Sequence, residues 1–278
     1  MEPATRREAV RYLRNRYAIS ERRACGLIGM GRSTLRYCAH PRDDTVLRQR
    51  LRALATERLR FGYRRLQVLL KREGLVANHK RVDRLYREEG LAVRRKLRKH
   101  VARQRSEIAA TVSAPNQRWS LDFLSDALTD GRRLRLLTVV DTFTREALAI
   151  EVDSSLPSLR VARVLDRIIA ERGTYPREIV LDNGPELTSR ILDQWAYDRQ
   201  VHLQFIDPGK PAQNAFSESF NGRLRDECLN LHWFTNVADA RRIIGGWLTD
   251  YNDDRPHSSL GYRTPTQFRG ELSLKVTG

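Results

Sequence analysis

The sequence predicts an α/β protein, a mixed β-sheet with helices on its faces, preceded by an all-α region. Three observations lead there. Between Gln117 and Asp207, short runs rich in apolar and β-branched residues alternate with longer amphipathic stretches. Ahead of residue 94 the apolar residues recur at helical spacing only, with Gly and Asn where helices should stop and start. The charge divides the chain in a similar place. The net charge is +17, yet residues 1–110 hold 30 Lys and Arg against 11 Asp and Glu, while the remainder holds 21 against 23.

Residues 1–40 read as a helix-turn-helix. TRREAVRYLRNRY carries Ala9, Val10, Leu13 and Tyr17 at helical spacing, and Ser20 is placed to cap ERRACGLIG. The GMG turn then leads into a short helix whose Arg32, Ser33, Thr34 and Arg36 are the candidates to face a DNA groove. An ordinary helical hairpin with a solvated polar face is the competing reading. Residues 41–93 form a second helical unit. A basic helix spans 44–60, then FGYRRLQVLLKREGL aligns Leu66, Leu69 and Leu70 and stops at Gly74. Asn78 caps HKRVDRLYREEGL, whose apolar set is Val82, Leu85 and Tyr86. Residues 94–116 are a basic linker, read either as a solvated tether or as a helix extension that orders on DNA.

From Gln117 the predicted order is three strands (RWSLDFL, RRLRLLTVVDTFT, EALAIEVDSS), a helix ending at Gly173, and the strand REIVLDN. A second helix (LTSRILDQWAYDRQ) and the strand VHLQFID follow. A loop over 208–213 leads to a helix over 214–229, and VADARRIIGGWLTDYND forms the last helix. Strands alternating with helices in this way give a sheet covered on its faces.

Composition narrows the function. A basic segment dominated by Arg points to a polyanion partner, because the guanidinium fork matches phosphate. The three cysteines, Cys25, Cys38 and Cys228, are odd in number and lack metal-ligand spacing, which argues against a disulfide framework and for a reducing compartment. No run of 18 apolar residues and no signal-peptide pattern is present, so a soluble, cytoplasmic, nucleoid-associated protein is expected, with no membrane partner.

Three acids carry the chemistry. Asp122 and Asp182 each end an apolar strand-like run, in WSLDFL and IVLDNGPE. Glu218 follows Asp182 with 35 residues between them, near the start of a helix that Phe216 and Phe220 would dock on the sheet. Carboxylates brought from two strand ends and a helix can converge on hard divalent cations, and such a cluster would repel itself without them. Two Mg²⁺ (Mn²⁺ is the substitute) held by these side chains would stabilise the attacking and leaving oxygens of a displacement at phosphorus. Other acids compete. Asp126 falls in the turn after strand one, and Asp141 ends strand two, where a structural cap is the plainer role. Glu186 and Glu227 read as surface or helper residues, His257 as a packed or capping histidine, and Trp247, Tyr251 and Tyr262 as core or partner anchors.

The acid order, with the blocks LDNGPELTS and PAQNAFSESFNGRLRDECLN and the tail YNDDRPHSSLGYRTPTQF, resembles the catalytic subunit of bacterial insertion-sequence DDE transposases and the integrase core. The resemblance covers most of residues 115–270. It implies a ribonuclease H-like catalytic domain over 117–278 with a C-terminal helical tail, and a DNA-binding segment ahead of it. It implies metal-dependent cleavage at the element's ends and attack of the freed 3′-hydroxyl on target DNA. Asn183, Gly184, Asn214 and Ser217 match positions that shape the site, and Arg225, seven residues after Glu218, matches a basic residue near the scissile phosphate. Arg64, Arg65, Lys80 and Arg81 are the expected phosphate contacts of the second helical unit, with Lys210 in the loop before Glu218. The expected partners are terminal inverted repeats, target DNA, a second or further copies of the chain, and an upstream-frame fusion segment. A nuclease on the same fold and a DNA-binding regulator with an inactive core are the alternatives.

Overall fold

A computed structural model describes residues 2–38, 43–93, 112–207 and 211–276. Most of the basic linker and Lys210 therefore lie outside the described residues. The chain divides into two compact units, Met1–Leu47 and Arg48–Gly278.

The first unit contains α1 (Pro3–Tyr17), α2 (Glu21–Ile28) and α3 (Arg32–Arg36). The Ser20 hydroxyl accepts from the Arg23 N–H at 3.3 Å and so caps α2. Gly29 takes the left-handed φ of 64° that ends it. Val10, Ala24, Cys25 and Met30 form a small core with Leu13, Ile19, Ile28 and Leu35 around it. Tyr17, expected on the inner face of α1, is instead 61% exposed. It is the last helical residue, and Ala18 at φ 50° turns the chain there.

In the second unit, α5 (Tyr63–Arg72) and α6 (His79–Glu88) follow α4 (Thr45–Glu57). They bury Leu66, Leu70, Val82, Leu85 and Tyr86. Asn78 Oδ1 accepts from the Lys80 N–H at 2.9 Å, the expected cap. These helices are tied to the rest of the unit by arginines. Arg58 pairs with Asp250 at 2.5 Å, and Arg72 donates to the Asp254 carbonyl at 2.6 Å.

The sheet contains β1 (Arg118–Ala127), β2 (Arg133–Asp141), β3 (Ala147–Asp153), β4 (Glu178–Leu181) and β5 (His202–Phe205), in the order β3-β2-β1-β4-β5. The first three are antiparallel, and β4 and β5 run parallel to β1. Strand alternation sorts the side chains. Trp119, Leu121, Leu137, Val139, Ile179 and Leu181 face α7 (Ser158–Arg172) and α8 (Arg190–Asp198). Leu124, Leu134, Leu136 and Val140 face α9 (Ala215–Glu227) and α10 (Val237–Asp253). Each fully buried aliphatic side chain contributes roughly 1.5–3 kcal/mol. The helix α11 (Pro265–Val276) completes the chain. Residues 211–214 form a 3-10 turn at the end of the segment expected as loop.

Two strand expectations need correction. Asp122 does not end β1 but sits at its middle, and Asp126 is a strand residue opposite Leu134, not a turn residue. The polar end of β1 stays extended because β2 continues to pair with it as far as Ala127.

Candidate active site

β1 and β4 pair only from Arg118↔Glu178 to Ser120↔Val180. Beyond Ser120 the two strands part, and Asp122 stands where β1 has lost that neighbour while still paired with β2 through Thr138. Asp182 directly follows Leu181 at the end of β4. Register and alternation carry Asp122 and Asp182 to the same face as Ser120, the face covered by α9.

α9 is fixed over that face by polar contacts. Ser120 Oγ hydrogen-bonds both Asn214 and Ser217, and Asn214 Nδ2 donates to the Leu121 carbonyl at 3.1 Å. Ser217 and Asn221 are buried, one helical turn apart. Glu218, next to Ser217, is exposed at the rim. Asn221 Nδ2 donates to Asp122 Oδ2 at 2.7 Å, and its own Oδ1 accepts from Thr138 Oγ1 at 3.0 Å. The Phe123 N–H holds the other oxygen of Asp122 at 2.8 Å. Asn221 and Thr138 escaped the sequence reading, although Asn221 lies inside the block that holds Glu218.

Burial pushes the Asp122 carboxyl up to about 6. The charges of Asp182 and Glu218 add to the rise, while the Phe123 N–H and Asn221 oppose it. All three acids therefore share one electrostatic neighbourhood. Among the described residues, no three His, Cys, Asp or Glu side chains are gathered tightly enough to cage an ion as they stand.

The supporting residues behave differently from one another. The Gly184 N–H donates to Asp182 Oδ1 at 3.1 Å, and a β-carbon on Gly184 would lie 3.1 Å from that same oxygen. Asn183 Nδ2 reaches the Ile206 carbonyl at 2.9 Å, pinning the loop after β4 to the end of β5. Glu186 pairs with Arg135 at 2.6 Å, and Arg135 stacks over Phe123. Phe220 is buried as expected, against Tyr251 and Trp247. Phe216 does not dock on the sheet; it is 39% exposed. It shares a side of α9 with Phe220, one turn nearer the helix start, and there it packs under the Arg145 guanidinium instead.

The competing acids have structural partners. Asp141 accepts from the N–H groups of Asn116, Phe143 and Thr144, the cap expected of it. Glu227 is no surface residue: it is clamped by the fully buried Arg255 at 2.5 and 2.7 Å. His257 is 3% exposed and set edge-on to Tyr251 at 4.7 Å, and burial lowers its ring to about 3, so it is a packed, neutral histidine.

The expected DNA contacts are dispersed. Arg32 and Arg36 both reach Glu21, at 3.3 and 2.8 Å, with half or more of each side chain in solvent. Ser33 and Thr34 are exposed. Arg64 stacks on Tyr63, and Arg65 stacks on Phe61 and lies 3.4 Å from Glu227. Lys80 is exposed and Arg81 half-buried on α6. Arg225 is exposed, with Nη2 3.5 Å from the Ser125 carbonyl, on the α9 side that carries Glu218. None of the described helices is long and apolar enough to cross a membrane.

Comparison with known proteins places this arrangement. Models of the integrase core domain match residues 112–211 and 199–265, and a model of an HTH-like domain matches 41–99. The insertion element IS407 31.7 kDa protein of Burkholderia multivorans is 55% identical over 92% of each chain. The insertion element IS476 39.2 kDa protein of Xanthomonas euvesicatoria is 46% identical over 96% of this chain and 78% of its own. The transposase InsK of element IS150 from Escherichia coli is described as putative and is 25% identical, over 77% of this chain and 79% of its own. A chain of the simian T-cell lymphotropic virus intasome shares the fold at a TM-score of 0.50 and 18% identity, over 79% of this chain and 74% of that one. The chain belongs to the insertion-element transposase family, built on an integrase core domain.

Proposed function

We propose that Asp122, Asp182 and Glu218 are the catalytic carboxylates of this DNA transposase, and that they hold two divalent cations, Mg²⁺ or Mn²⁺, at the scissile phosphate. The observation that carries the reading is geometric: Asp122 on β1 and Asp182 at the end of β4 stand at neighbouring positions on the sheet face covered by α9, the helix that bears Glu218. A buried carboxylate with two like charges near it is relieved by a cation. The donor set fits hard cations: oxygen ligands only, two at neighbouring strand positions and one on the helix above. The third ligand closes in by movement of the exposed Glu218 side chain.

When bound, such ions supply an acidified water or 3′-hydroxyl and neutralise charge at the leaving oxygen. The protein's own residues do the positioning. Thr138 orients Asn221, and Asn221 with the Phe123 N–H fixes both oxygens of Asp122. The Gly184 N–H sets the Asp182 carboxylate. Arg225 grips the backbone near the cut, and Arg32, Ser33, Thr34, Arg36, Arg64, Arg65, Lys80, Arg81 and Lys210 extend the path to the element's ends. Asn183, Asn214 and Ser217 keep the site's edge and helix in place. Two ends must be held together, so a homodimer or larger assembly on DNA acts.

Incubation with duplexes bearing the element's terminal repeats, target DNA and Mg²⁺ should give joined products. Asp182→Asn should abolish joining while leaving binding intact. Cleavage without joining by the unaltered chain would favour the nuclease reading, and undiminished joining by Asp182→Asn would reject this site.

A further inference from the structure

Arg145 is the residue the active site leaves unexplained. It ends the turn between β2 and β3, where its N–H closes on the Asp141 carbonyl at 2.9 Å, and it takes a φ of 64°. That left-handed conformation suits glycine; an arginine there is held against a steric penalty. Its side chain is costly as well. The guanidinium carbon lies over the Phe216 ring, 3.8 Å from its centroid. Burial lowers its proton affinity. Among the described residues only two buried side-chain polar atoms lack a hydrogen-bond partner, and Arg145 Nη1 is one of them. Buried donors are almost always satisfied, so this one asks for a reason.

The surroundings indicate what is missing. Tyr251 acts on Arg145 favourably, but a second cation, Arg223, depresses Arg145 further and hydrogen-bonds the buried Tyr251 hydroxyl. The carboxylate that acts on Arg145 is Asp141, already engaged by three backbone N–H groups. Arg145 and Arg223 line an open cleft of about 480 Å³ with Phe216, Ser219 and Ser259, and Glu218 borders the same cleft. Two guanidiniums, two hydroxyls and an aromatic platform beside a catalytic acid match an anion, and the guanidinium fork matches phosphate.

We propose that Arg145 and Arg223 form a non-catalytic binding site for one DNA backbone phosphate, a short distance along the strand from the bond that is cut. The site rests on the reading above in that the ligand is the transposase's own DNA. Its function is register: a phosphate fixed in the cleft that Glu218 borders sets which bond reaches the acids. The strained turn holds Arg145 ready and largely stripped of water, so its hydrogen bonds to phosphate displace little solvent.

The test uses the full chain, without divalent ions, and duplexes carrying the element's end sequence in which single phosphates are replaced by neutral methylphosphonates. The unaltered protein should lose about tenfold in affinity at one or two of these positions, the scale of one charge-assisted contact. Arg145→Gly should bind the unmodified duplex about tenfold more weakly, and should lose most of its sensitivity to the same replacements, the remainder being due to Arg223. Its unfolding temperature should be equal or higher, because glycine relieves the turn. Arg145→Lys should keep part of the affinity and a correspondingly weaker positional signature, because a lysine still pairs with phosphate as a point charge. If Arg145→Gly retains the full methylphosphonate pattern, or binds DNA normally while unfolding at a lower temperature, the residue is a strut for α9 and the proposal is overturned. Because binding is read without metal, a failure of strand joining alone would count against the acidic site and not against this one.

Discussion

Asp122 concentrates the opposing demands of the site in one side chain. It must be ionised to hold a cation, yet burial and two acidic neighbours keep its proton until about pH 6. Its folded-state affinity for the proton is raised above the ordinary carboxylate value, so between the two values the native state binds more protons than the unfolded chain. Metal-free protein should therefore lose stability as pH rises from about 4 to 6 and change little above that through this residue. Divalent cations bind the deprotonated form, so affinity should climb by up to about tenfold per pH unit across that window and level off beyond it. Calorimetric Mg²⁺ titrations at about pH 5, 6 and 7 measure this; an affinity flat from 5 to 7 would separate Asp122 from the metal. Asp122→Asn should flatten both dependences. Gly184 sets a second limit at this scale. A methyl group there crowds Asp182 Oδ1 at 3.1 Å. Gly184→Ala should lower the rate of strand joining by about tenfold or more, since small misplacements of a reacting group are costly. The backbone at Gly184 is not in the left-handed region, so stability should change little. A variant that joins strands at the normal rate would show that the Asp182 carboxylate has room to shift.

α9 is the element on which the site turns, because one helix supplies the third acid and the contacts that place it over the sheet. Its apolar anchor is Phe220, 1% exposed and edge-on to Tyr251 at 4.9 Å. Phe220→Ala should cost about 3–5 kcal/mol, the range for emptying a buried aromatic site, and should shift the urea midpoint accordingly. A loss under about 1 kcal/mol would mean that α9 is held mainly by Ser120, Asn214 and Asn221. The same helix shows what can be read from one dimension. Its existence was legible, since periodicity is a local property, and the motif strings that hold the three proposed acids are local as well. β2 was legible too, because LLTVVD is rich in strand formers. The full extent of β1 was not: Ser125, Asp126 and Ala127 have little strand preference and are extended by pairing with residues 133–135 of β2. Nor was the Thr138–Asn221–Asp122 chain legible, because it depends on the pairing of Asp122 with Thr138 and on which turn of α9 covers that pair. Phe216 failed for a related reason. Period alone does not say which aromatic near the start of a helix faces the sheet when a cation on a neighbouring turn competes for it.

For the molecule as a whole, charge is the property that its parts do not individually possess. The net charge of +17 arises in residues 1–110, whereas the remainder is nearly balanced. Yet many of those arginines are paired within the fold: Arg48 and Arg52 with Glu89, Arg50 with Glu73, and Arg32 and Arg36 with Glu21. The pairs whose arginine is largely in solvent, such as Arg32 and Arg36 with Glu21, add little stability, about 0–1 kcal/mol each. They do position cationic side chains, and a phosphate can exchange with an exposed carboxylate at small cost. Formal charge therefore overstates how many phosphates are neutralised, and the salt dependence of binding measures the number directly. Each neutralised phosphate contributes about −0.9 to the slope of log affinity against log salt. If DNA engages the dispersed basic residues together, six or more contacts are expected, and affinity should fall by about 10³ or more between roughly 50 and 200 mM salt. Fluorescence anisotropy over that range gives the slope. A value shallower than about −2 would mean that the internal pairs survive on DNA and that recognition uses only the few unpaired cations around the acids. Charge neutralisation separates the two cases: Glu89→Gln should steepen the slope if pairing with Glu89 withholds Arg48 and Arg52 from phosphate, and should leave it unchanged if those arginines already contact phosphate.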